Sequence, residues 1–172
     1  MYKTLDIYIY SDLSTYHMAI NLPNAPDTIY AGARRDANII GMVNPLNLKI
    51  AGYSYSDYMK SIVHELVHVV EHNINPNIPL SLDEGVAAYE SGLDNGVDGV
   101  MARAKSDNKF PSLNDLQTDP VTFGKIGGYE FSYSLVEYTI KTYGYDKLLA
   151  FMKKPSEFEK VFGKSREDFE KD

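Results

Sequence analysis

The 172-residue chain has no cysteine and no tryptophan. Without cysteine there is no disulfide framework, no thiol nucleophile and no thiolate metal ligand. Any metal must therefore be held by His, Asp or Glu. Positive charge is also in deficit. Lys and Arg number 17 against 24 Asp and Glu, a net charge of −7. Phosphate binding needs clustered cations, so nucleic acid is not an expected partner. No apolar run approaches the ~20 residues of a membrane span, so no membrane partner is expected either. The first residues, Met1-Tyr2-Lys3-Thr4-Leu5-Asp6, alternate polar and apolar. They lack the apolar stretch of a secretory signal. The expectation is a cytoplasmic protein, or one whose leader has been removed. The length matches one domain, residues 1–172.

What is present falls into two halves. Lys3 to Tyr10 alternates with period two, with Leu5, Ile7 and Ile9 on one face. It reads as a strand. A short helix capped by Asp12 or Ser14 follows, through about Asn21. Thr28–Arg34 and Asn38–Val43 are further strands. The Asn44-Pro45 pair after the third suggests an edge position. From Ser54 the period becomes 3.6. Ser54 or Ser56 is the expected N-cap, and Met59, Ile62, Val63, Leu66, Val67 and Val70 form a stripe expected to back the helix onto a core. Helices are also expected over Leu82–Glu90, to about Lys105, over Tyr129–Tyr143, over Asp146–Lys153 and in two short pieces split at Gly163. Asn108–Gly128 reads as loop with a single turn at Ser112–Leu116. Strands first and helices after argue for an α+β fold.

The chemistry sits in His64-Glu65-Leu66-Val67-His68. Residues four apart share a helix face, about 6 Å apart along the axis. Two imidazoles so placed reach one Zn²⁺ at about 2.0–2.1 Å. Glu65, one step round, reaches a water on that ion and occupies the general-base position of a zinc hydrolase. With four His and ten Glu in the chain, chance supplies the pattern about 0.005 times. A catalytic zinc keeps three protein ligands and one open position. His72 lies about 12 Å along the axis from His64, too far to share the ion. It reads as a rim residue, His17 as a helix-surface histidine and Glu71 as the close of the helix surface. Glu84 on the following helix is the better third ligand. Gly85, Ala87 and Ala88 let that helix come close, and Asp83 serves the helix dipole. The Gly92–Gly99 stretch does not match the spacing of an EF-hand calcium loop.

His64-Glu65-x-x-His68 followed by Glu84-Gly85-x-Ala87-x-Tyr89 resembles the gluzincin metallopeptidases, specifically the small peptidase-MA-like group. Tyr129 to Gly144, Lys147-Leu148-Leu149 and Phe162 to Phe169 resemble that group's later helices. The resemblance implies a zincin-like α+β fold. It comprises a small mixed or antiparallel N-terminal sheet with an edge strand over the cleft, an active-site helix and a helical C-terminal half. It further implies one zinc on His64, His68 and Glu84, with Glu65 activating the zinc-bound water for peptide-bond hydrolysis. Tyr129, and after it Tyr133, stand where the group carries an oxyanion-stabilising Tyr. The strand assigned to hold extended peptide is Ile39-Ile40-Gly41-Met42-Val43. Two places depart from the pattern. Ser81 stands where the group often has Trp, and Ala88 where thermolysin-like relatives have an Asp that orients the first His. The orienting partner is thus left open between Glu90 and a backbone carbonyl. The expected partner is a peptide or protein substrate. A chain this short implies a shallow cleft, completed by a partner protein or an oligomer. The alternatives are a catalytically silent zincin-fold peptide-binding module and a structural zinc protein. Glu65 argues against both, and a structural site would want a fourth ligand.

Overall fold

The computed structural model describes residues 4–50, 54–94 and 96–171. Among these, three strands and nine α-helices form a mixed α+β architecture. The strands are β1 (Asp6–Tyr10), β2 (Ala31–Arg34) and β3 (Ile39–Val43). Their order is β1-β3-β2, with β1 parallel and β2 antiparallel to β3. The assignment of Ile39–Val43 to an edge is therefore overturned: β3 is central and hydrogen-bonded on both sides. Pro45 misled because it lies beyond the ladder. The strand ends at Val43, and the Asn44 N–H closes the pairing by donating to the Tyr10 carbonyl at 2.8 Å. β2 is an edge among the described strands.

Helix α1 (Leu13–Ala19) is capped by Asp12, whose side chain accepts from the Thr15 N–H. It lays Tyr16 flat on the sheet. A Cβ at Gly32 would stand 2.9 Å from the Tyr16 hydroxyl, and one at Gly41 3.2 Å from its ring. The two glycines make that contact sterically possible. Tyr16, Tyr30, Val43, Leu48 and Tyr58 form the smaller core.

Helix α2 (Tyr55–Ile74) opens with a full capping box between Ser54 and Asp57. It packs over β2 and β3. The expected stripe is only partly turned inward: Val67 packs against the larger core and Ile62 is half-buried. Met59, Val63, Leu66 and Val70 are exposed, whereas Ser61, His68 and Glu71 are buried. The polar face can turn inward because its members bond to one another and because α3 (Leu80–Ser91) lies across it. The reading of Glu71 as helix surface is corrected accordingly, and His17 is likewise buried, bonded to the Ile29 carbonyl at 2.7 Å.

The C-terminal half is helical. It comprises α4 (Val97–Asp107), α5 (Pro120–Lys125), α6 (Gly128–Tyr143), α7 (Tyr145–Lys153), α8 (Phe158–Phe162) and α9 (Arg166–Lys171). Helix α5 lies in the stretch read as loop. Its six residues carry no apolar period, but Asp119 caps it and Pro120 opens it. Leu82, Val86, Val136, Leu148 and the rings of Phe151, Phe158, Phe162 and Phe169 make the larger core. No helix of the described residues is long and apolar enough to cross a membrane.

The contact that fixes α3 is its approach to α6. A Cβ on Gly85 would lie 2.5 Å from the Ser132 carbonyl oxygen and 2.9 Å from Val136. Gly85→Ala is therefore expected to destabilise the protein by about 1–3 kcal/mol, read from the shift of a urea unfolding midpoint. An unchanged midpoint would show that the two helices do not pack this closely.

Candidate metal centre

The four-residue spacing on α2 brings the rings of His64 and His68 together, centroids 4.6 Å apart and planes perpendicular. Their Nε2 atoms lie 3.1 Å apart. Helix α3 delivers Glu84 from the other side. Its Oε2 stands 3.4 Å from His64 Nε2 and 3.8 Å from His68 Nε2. Donors bound tetrahedrally to zinc at 2.0–2.1 Å are about 3.3 Å from one another. The three separations bracket that value, so the donor set fits the ion in number, chemical type and spacing.

A second ring of groups anchors His68. Its Nδ1 lies 3.1 Å from Asp83 Oδ1 and 3.3 Å from Glu71 Oε2. Asp83 Oδ2 in turn accepts from Arg35 Nη1 at 2.7 Å. Asp83 is therefore neither a free helix cap nor a bystander. The N-cap of α3 is Pro79, and Asp83 is buried. Glu90 is exposed; Asp83 and Glu71 orient the second histidine, His68, and no partner for the Nδ1 of the first, His64, is found among the described residues. His68, Glu71 and Asp83 form another potential cation cluster, but Asp83 is already engaged by Arg35. The cluster reads as an orienting network for the first centre.

The charges follow from this geometry. Burial works against protonation of His68, but the Asp83 and Glu71 carboxylates on its Nδ1 outweigh it and lift the imidazole to about 10. Burial pushes the Glu71 carboxyl up to about 8 against its hydrogen bond to His68. Burial would also raise Asp83, but the His68 hydrogen bond and charge, then Arg35, hold it below the usual carboxylate range. Asp83 is thus the standing negative charge behind His68. The His64 Nδ1 is buried without a hydrogen-bond partner among the described residues, so that ring is held by packing on His68.

Glu65 is not part of the donor set. It lines a cleft of about 600 Å³ together with Ser61 and His64 from α2, Tyr30 and Ala31 from the start of β2, and Leu93, Tyr129 and Glu130 opposite. Burial raises its carboxyl, opposed by the His68 and His64 imidazoles. Tyr129, at the start of α6, packs edge-on against Phe123 at 4.9 Å. Burial, then Glu84, then Glu130 raise its hydroxyl. Tyr133 points elsewhere: its ring packs 5.5 Å from Tyr89, in reach of Glu137 and Asp94. His72 is half-buried and outside the donor set. The strand beside the cleft is β2, not Ile39–Val43. Ser81, in the position where Trp was the pattern, accepts from Gln117 Nε2 at 2.7 Å.

Asp83, Glu71, Arg35 and Glu130 were not assigned to the site from the sequence. Glu71 carried a usable signal, three residues after His68 on the same face. Arg35 carried none, since it reaches the site only through the β2–β3 connection. In comparisons with known proteins, the family model described as Peptidase MA superfamily matches residues 1–160. No curated protein and no solved structure gives a match.

Asp83→Asn keeps the shape but removes the charge facing His68. Zinc affinity, measured by competition with a chromophoric chelator, is expected to fall about 10–100-fold. Unchanged affinity would show that Asp83 does not orient the ligand.

Proposed function

The chain belongs to the Peptidase MA superfamily, and from that premise we propose that it is a zinc-dependent peptidase of the gluzincin type, acting on peptide or protein substrates. The observation that carries this reading is the convergence of His64, His68 and Glu84 donor atoms within 3.8 Å of one another, beside a cleft lined by Glu65.

In this reading His64, His68 and Glu84 hold the ion. Bound zinc supplies a Lewis acid that polarises a carbonyl and acidifies water. Glu65 accepts the proton of the attacking water and passes it to the leaving amine. Tyr129 is the cleft's hydroxyl donor for the oxygen that gains negative charge. Asp83 and Glu71 accept from His68 Nδ1–H, so that Nε2 is the nitrogen that would give up its proton to ligate. Substrate lies extended along the free edge of β2, adding a strand to the sheet. A silent binding module would have no use for a carboxylate at position 65, and nothing in the cleft favours that alternative.

The test separates metal binding from chemistry. Glu65→Gln is expected to retain one zinc per chain while turnover of a mixed peptide library falls about 10²–10⁴-fold, read by mass spectrometry of the products. Full turnover in Glu65→Gln would remove Glu65 as the base. A zinc-loaded wild-type protein that cleaves nothing would overturn the peptidase reading.

A further inference from the structure

The cleft has an unbalanced negative charge. With zinc on its three ligands, the two positive charges of the ion are matched by two carboxylates already present, those of Glu84 and Glu65. Glu130 is a third. It is half-buried and lines the same cleft as His64, Glu65 and Tyr129. Among the described residues, no Lys or Arg forms an ion pair with it. Arg35, within electrostatic reach of Glu65, is committed to Asp83 at 2.7 Å.

Glu130 lines the same cleft wall as Tyr129. The Tyr129 hydroxyl feels the Glu84 carboxylate and the Glu130 carboxylate together. Placement in the first turn of α6 favours an anion there through the helix dipole. This accounts for a carboxylate at that position being tolerated. It does not account for its facing a cleft of about 600 Å³ beside a metal-ligand triad. A negative group with no protein counter-ion, at the wall of a substrate cleft, selects a positive group on the substrate.

We propose that Glu130 is a specificity-determining residue that pairs with a cationic group of the substrate, carried by a residue flanking the scissile bond. The proposal rests on the peptidase reading above. The chemistry is that of an ammonium or guanidinium group, supplied by a free peptide N-terminus or by a Lys or Arg side chain.

The experiment crosses two features in peptides of one length: a free or acetylated N-terminus, and lysine or norleucine beside the scissile bond. Zinc-loaded wild type, Glu130→Gln and the control Glu137→Gln are compared by KM and kcat. Binding of the same peptides to zinc-free wild type and Glu130→Gln is measured by calorimetry. Glu137 is on the same helix, paired with Lys141 at 2.8 Å. Removing the cation that Glu130 holds is expected to raise KM about tenfold in wild type and in Glu137→Gln, mainly through binding. The calorimetric affinity should fall in parallel, and both differences should vanish in Glu130→Gln. Which feature carries the difference identifies the α-amine or the side chain as the source. Equal KM and affinity for cationic and neutral peptides in wild type would overturn the proposal, as would a preference that persists in Glu130→Gln. Absence of turnover for every peptide would instead count against the peptidase reading, and the calorimetric comparison would still decide on Glu130.

Discussion

The structure turns on one buried imidazole. His68 is 4% exposed and faces two ways: Nε2 toward His64 and Glu84, Nδ1 toward Asp83 and Glu71. A buried polar side chain is costly unless it is satisfied. Here it is satisfied on one nitrogen by carboxylates and on the other by the place where a cation fits. That double demand explains the orientation of α2. Turning Met59, Val63, Leu66 and Val70 inward would bury more apolar surface, but it would expose the histidines and separate them from Asp83. The long helix instead leaves those four outside, with Val67 against the core, and buries His68 and Glu71 beside Val69.

Close packing makes that burial geometrically possible. Helix α3 runs between α2 and α6 and has small residues where it touches them. Gly85 meets the α6 backbone, and Ala87 and Ala88 are almost fully buried. With those residues in place, Asp83 and Glu84 reach α2 from consecutive positions, one serving each side of His68. Arg35 ties the other end of Asp83 to the turn after β2, so the strand beside the cleft and the candidate donor set share one ion pair. The Peptidase MA assignment over residues 1–160 covers every residue of this arrangement.

Much of this was legible in the sequence, for identifiable reasons. The two histidines and Glu65 follow from helical spacing alone. Glu84 follows from the need for a third ligand on a helix with small residues. Most elements carried local signals: Asp12 and Ser54 as caps, Gly144 and Gly163 as stops. What could not be read depends on contacts distant in the chain. The central position of β3 is set by which strands find it, not by the Asn-Pro that follows it. The orienting role of Asp83 needs the α2–α3 crossing, and that of Arg35 needs the β2–β3 connection. The stripe on α2 gave the right period but only part of the buried face, Val67 and Ile62, because periodicity reports that a helix has two faces and not which one the site will claim.

The most direct measurement is X-ray absorption at the zinc edge on the zinc-loaded wild-type protein. The account predicts one ion per chain whose spectrum fits two imidazole nitrogens and one carboxylate at about 2.0–2.1 Å, with a light oxygen atom completing the shell. A spectrum showing a single imidazole, no imidazole at all, or a shell unchanged when Glu84 is replaced by Ala would contradict it.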